Sequence, residues 1–103
     1  MPKLEIDMRL TAEQINLIRT QVQSQFGPRS RVWLFGSRLD NTRCGGDVDL
    51  YIEPQLETTP WQEAGFRVTL QDGLQLPVDT VVAMQADDPR PMCRIARMTG
   101  VML

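Results

Sequence analysis

The sequence has no histidine. That removes imidazole general bases, histidine zinc ligands, Cys–His dyads and Ser–His–Asp triads together. Lysine is almost missing too. Lys3 stands alone, and every other basic residue is arginine. Arginine suits forked contacts to phosphate and carboxylate. There are two cysteines, Cys44 and Cys93, too far apart for a metal knuckle or a CxxC pair. They read as reduced thiols in a cytosolic protein. No apolar run is long enough to cross a bilayer, and residues 1–10 lack the apolar stretch of a signal peptide. With 13 acidic and 11 basic residues the net charge is -2. That gives no general attraction to nucleic acid or to an anionic membrane.

What is present suits one globular domain spanning residues 1–103, with 42% apolar and 23% charged residues. Thr11-Ala12-Glu13-Gln14 fits a capping box. Ile15, Leu17, Ile18, Val22 and Phe26 follow at helical spacing, and Gly27-Pro28 is a stop signal. The pattern predicts a helix over 12–26, with Met8 to Leu10 as a strand or extended lead-in. Val32-Trp33-Leu34-Phe35 reads as a buried strand ending at Gly36-Ser37. Residues 38–46 are polar and glycine-rich, and read as a loop. Asp47 to Glu53 alternates polar and apolar, a half-buried strand ended by Pro54.

Residues 60–76 are open between two readings. Thr59-Pro60-Trp61-Gln62 looks like the start of a helix over 60–72. Phe66, Val68 and Leu70, then Asp72-Gly73, then Leu74 and Leu76, look like a hairpin. Val78 to Val82 is a further strand. Asp87-Asp88-Pro89 opens a last helix, Gly100 caps it, and Val101-Met102-Leu103 is an apolar tail.

Three features carry chemistry. Gly36-Ser37 follows a buried strand, where a turn's N–H groups and a hydroxyl can cradle phosphate oxygens. Asp47 and Asp49 are i and i+2 on a strand and share a face. Two such carboxylates repel unless a cation lies between them, and Mg²⁺ takes one or two carboxylates plus substrate phosphates. Asp79 sits inside a β-branched run, where an acid is disfavoured. If its strand lies beside that of Asp47 and Asp49, a third carboxylate joins the pair. Each feature alone also has a plain reading: an ordinary turn, or a solvated acid on an exposed strand face.

Together, Phe35-Gly36-Ser37-Arg38, a loop, Asp47-Val48-Asp49-Leu50 and Pro77-Val78-Asp79 resemble the DNA polymerase β-type nucleotidyltransferase superfamily. Within it the chain is most similar to the minimal nucleotidyltransferases, or MNT proteins. The loop from Arg38 to Gly46 is one residue shorter than in many members. The resemblance implies an α/β (α+β) fold, a small mixed sheet flanked by helices. It also implies that residues 60–72 are helical. It implies a Mg²⁺-dependent transfer of AMP from ATP, with pyrophosphate leaving. Gly36, Ser37 and Arg38 would bind the nucleotide. Asp47, Asp49 and Asp79 would be catalytic and hold two Mg²⁺ ions. Arg43 is a further candidate for the leaving phosphates.

The resemblance also implies a partner. Minimal nucleotidyltransferases pair with HEPN toxins and act as antitoxins by adenylylating a toxin tyrosine. Operator DNA is then a ligand only of the complex. The alternatives are a catalytically silent antitoxin that works by binding, and a small-molecule nucleotidyltransferase. Among the aromatics, Trp33 reads as core, and Trp61 is open between core and interface. Tyr51 shares the face of Asp47 and Asp49, placing it either near a nucleotide or with its hydroxyl at the surface. Cys44 has no assigned role.

Overall fold

The computed structural model describes residues 10–36 and 48–103. Helix α1 spans Ala12–Phe26, strand β1 Arg31–Phe35 and strand β2 Val48–Glu53. Helix α2 spans Pro60–Leu74, strand β3 Val78–Val82, helix α3 Pro91–Thr99 and strand β4 Val101–Met102. The four strands form one mixed sheet in the order β3-β2-β1-β4. β1 runs antiparallel to β2 and to β4, while β2 and β3 are parallel. This is the small mixed sheet flanked by helices that the sequence leads one to expect.

Helices α1 and α2 start the same way. The Thr11 hydroxyl accepts from the Gln14 N–H (3.0 Å), and the Gln14 side chain accepts from the Thr11 N–H (2.8 Å). Thr59 and Gln62 repeat the exchange at 3.2 and 2.9 Å, with Pro60 at the first helical position. Two donors that a helix start leaves open are thereby satisfied at each end.

The ambiguous segment is therefore helix, and it runs on to Leu74. The side chains show why. Phe66, Leu70 and Leu74 are buried at i, i+4 and i+8, whereas Val68, which a hairpin would pair with them, is 63% exposed. Asp72-Gly73 lies in the last turns of the helix instead of at a hairpin tip.

Both faces of the sheet are covered. On one face Val32, Leu34, Val48, Leu50, Ile52 and Val78 pack against Ile18, Val22 and Phe26 of α1 and Phe66, Leu70 and Leu74 of α2. Phe26 and Phe66 meet edge to face, with ring centroids 4.9 Å apart. On the other face Trp33, Tyr51 and Ala83 pack against Cys93 and Ala96 of α3. From Leu50 to Glu53 β2 is thus buried on both sides, not half-buried as its alternation suggests. The polar residues of its alternation, Tyr51 and Glu53, are under α3.

Two boundaries at the C-terminal end differ from the sequence reading. α3 opens at Pro91, not at Asp87-Asp88-Pro89. Asp88 is used in the preceding turn, where its carboxylate accepts from the N–H groups of Met84 (2.9 Å) and Arg90 (3.0 Å). The apolar tail is an edge strand: Val101 pairs with Leu34 and Met102 with Trp33. Gly100 permits this pairing. A Cβ there would come within 2.5 Å of the Ala96 carbonyl oxygen and 2.8 Å of that of Leu34. Leu10 is buried, so the lead-in to α1 ends in the core. Met8 and Arg9 lie outside the described residues.

Candidate active site

The strand register brings the sequence motifs to one place. Phe35 is paired with Asp49 across the antiparallel β1–β2 ladder. Asp49 is paired with Asp79 across the parallel β2–β3 ladder. Register partners on adjacent strands point to the same face, with backbones about 4.8 Å apart. The two carboxylates are therefore neighbours on the α3 side of the sheet, at its β2 and β3 N-terminal ends. Asp49 is half-buried, between the fully buried Val48 and Leu50, and Asp79 is exposed.

Each carboxylate rests on an anchored backbone. Val48 donates its N–H to the Pro77 carbonyl (2.9 Å), which extends the parallel ladder below the pair. The Gln71 side chain of α2 accepts from the Val78 N–H at 3.0 Å. One residue past Asp79, the Thr80 hydroxyl donates to Glu63 (2.7 Å) and accepts from Arg67 (3.2 Å), both on α2. Strand β3 is thus clamped to α2 on both sides of Asp79, while the Asp79 side chain stays in solvent.

Gly36 closes the arrangement. It has φ +83°, in the left-handed region, and a Cβ built there would collide with the Asp49 carboxylate. Only glycine lets the chain turn here and lets that carboxylate lie against the turn. The Gly36 backbone and the Asp49 side chain therefore share one small volume.

Two carboxylates from adjacent strands, beside a glycine turn with no side chain, fit the donor set of Mg²⁺, which takes few protein oxygens and the rest from phosphate and water. Among the described residues they form no cluster of three acids or other metal-ligating side chains. Asp47, Ser37, Arg38, Arg43 and Cys44 lie outside the described residues, so the third carboxylate and the phosphate-binding serine stand as expectations.

A second polar group lies under α3 on the same face, and the sequence reading did not single it out. Glu53, 5% exposed, accepts from the Tyr51 hydroxyl (2.7 Å) and the Asp87 N–H (3.2 Å) and pairs with Arg31. Arg97 of α3 donates to the Tyr51 hydroxyl at 2.8 Å and lies 3.7 Å from Glu53. Tyr51 is fully buried, tilted against Trp33 with ring centroids 5.1 Å apart. Burial, and then the hydrogen bond to Glu53, push its phenol well above the usual tyrosine range. Tyr51 shares the Asp49 face as the period-two pattern requires, but its hydroxyl is neither at the surface nor open to a ligand. The only local sign of this group was Glu53, standing i+2 from Tyr51 and i+4 from Asp49.

The remaining sequence candidates divide clearly. Trp33 is core, and Trp61 is 87% exposed on α2. Cys93 is a buried free thiol, with burial pushing its pKa up. A cleft of about 480 Å³ lies at the other end of the parallel strands, lined by Leu56, Glu57, Glu63 and Met84 among others. It is four strand residues beyond the Asp49–Asp79 pair, about 13 Å at strand spacing. No helix among the described residues is long and apolar enough to cross a membrane. The chain matches no protein-family model and no curated protein sequence.

Proposed function

We propose that this chain is a Mg²⁺-dependent nucleotidyltransferase that transfers AMP from ATP to a hydroxyl of a partner protein. In this reading it is the antitoxin of a HEPN-type toxin and modifies a toxin tyrosine. The observation that carries the reading is the register of Asp49 and Asp79. Two acids far apart in sequence stand side by side on adjacent parallel strands, against a glycine turn. Like charges placed directly opposite each other destabilise a sheet. A cation bound between them removes that cost.

Asp49 and Asp79 would hold Mg²⁺ together with Asp47, two ions in all on the resemblance to the minimal nucleotidyltransferases. Bound Mg²⁺ supplies neutralisation of phosphate charge and a lowered pKa for the attacking hydroxyl. The turn at Gly36 and Ser37, with Arg38, would seat the β- and γ-phosphates of ATP. Asp79, which is exposed, would take the proton of the acceptor hydroxyl. The acceptor oxygen forms a bond to the α-phosphorus as the bond from that phosphorus to the bridging oxygen breaks. Pyrophosphate leaves, and the proton passes to Asp79 and then to solvent. Positioning and charge neutralisation supply most of the rate.

The test is the intact mass of a native HEPN-type toxin that this chain neutralises, after incubation with the chain, ATP and Mg²⁺. A gain of one or more AMP units, absent with Asp79→Asn protein, is the expected result. An unchanged mass for native, active toxin that the chain nevertheless neutralises would replace transfer with inhibition by binding.

A further inference from the structure

Helix α3 is turned the unusual way round. Its sheet-facing side carries Cys93 and Ala96, its small apolar residues. Its large apolar residues point outward: Met92 and Ile95 are each 53% exposed and Met98 is 78% exposed. At 3.6 residues per turn these three fall on one outer face, and exposed Arg94 lies beside Met98 on it. Met102, 51% exposed, continues the apolar surface on the same side of the sheet, because its register partner is Trp33. A run of large apolar side chains facing water marks an interaction surface, and methionine suits one that adapts to its partner.

The charges on the helix define what covers it. α3 carries Arg94 and Arg97 and no acidic residue, and Arg90 precedes it. Arg90 is spent on Asp88 and Arg97 on Tyr51 and Glu53. Arg94 makes no ion pair among the described residues. Two copies packed antiparallel through Ile95 would bring their Arg94 side chains together, with no carboxylate on either α3 helix to separate them. We infer that the outer face of α3, with Met102, docks an amphipathic helix of a different protein. The apolar stripe of that helix would be flanked by carboxylates that meet Arg94.

The docking surface stands on its own observations. Its link to catalysis rests on the proposed transfer: α3 lies on the sheet face that carries Asp49 and Asp79, so a protein seated there is on the carboxylate side.

Two synthetic amphipathic helices test the inference. They share one leucine stripe, flanked by Glu in one and by Lys in the other. Each is titrated into the full chain with ¹³C-methyl-labelled methionine and followed by NMR. The Glu-flanked helix is expected to shift Met92, Met98 and Met102 and leave Met84 in place. It should bind at least tenfold more tightly than the Lys-flanked helix. Arg94→Glu, a change at an exposed position, should invert that preference, and Asp79→Asn should leave it unchanged. Equal binding of the two helices, shifts centred on Met84, or no binding would overturn the proposal. So would shifts of the α3 methyls that depend on protein concentration alone, which would make a second copy the occupant. Loss of AMP transfer in Asp79→Asn protein with docking intact separates the fate of this inference from that of the proposed reaction.

Discussion

Tyr51 is the chain's single tyrosine, so its ionisation has a clean optical signal. Its phenol is buried and its hydroxyl donates to Glu53, and both raise its pKa above the ordinary value of about 10. The sign follows by linkage. Above pH 10 the unfolded chain loses this proton more readily than the folded one, so the folded state binds more protons and stability falls as pH rises. An alkaline absorbance titration should show no tyrosinate until the fold is lost, with the tyrosinate signal and the loss of circular dichroism coincident. Asp79 offers the opposite kind of test. It is exposed and sits opposite another carboxylate. Asp79→Asn should leave unfolding stability unchanged within about 0.5 kcal/mol, or raise it, while removing AMP transfer. Urea unfolding and the mass assay, run on the same preparation, check both halves.

Helix α2 decides how β3, and with it Asp79, is held. Its start depends on the Thr59–Gln62 exchange and its packing on Phe66 and Leu70. Thr59→Ala should cost about 1 kcal/mol, and Leu70→Ala about 2–5 kcal/mol. Denaturant midpoints rank the two. This helix also shows where sequence patterning stops. Phe66, Val68 and Leu70 satisfy a strand period while Phe66, Leu70 and Leu74 satisfy a helical one. No local feature ranks them until the exposure of Val68 does. α1 was legible because its capping box, its apolar row and its stop signal all agree. The start of α3 was not, because Asp87-Asp88-Pro89 has the composition of a helix start. Yet the Asp88 carboxylate is committed to the Met84 and Arg90 N–H groups, and Arg90 holds it well below the usual carboxylate range.

At the scale of the molecule, the sequence supplied the parts of the candidate site, and the strand order supplied their meeting. Gly36, Asp49 and Asp79 each stood out by residue type and local pattern. That Asp49 and Asp79 are register partners depends on a parallel β2–β3 pairing across helix α2, which nothing within a few residues of either acid encodes. The Arg31–Tyr51–Glu53–Arg97 group was illegible for the same reason: its members come from β1, β2 and α3, and only the sheet brings them together. The collision between a Gly36 Cβ and the Asp49 carboxylate likewise exists only in the folded chain. It gives the site a sensitive residue. Gly36→Ala adds backbone strain of about 1–2 kcal/mol and displaces the carboxylate. ATP binding should therefore fall far more than that modest loss of stability accounts for.

The most direct measurement of the central claim is calorimetric titration of ATP into the full chain, with and without Mg²⁺, for the native, Asp79→Asn and Gly36→Ala proteins. Binding that requires Mg²⁺ and weakens at least tenfold in both folded variants is the predicted result. ATP binding indifferent to Mg²⁺ and to both substitutions, or no ATP binding by the native chain, would contradict a metal–nucleotide site at Gly36, Asp49 and Asp79.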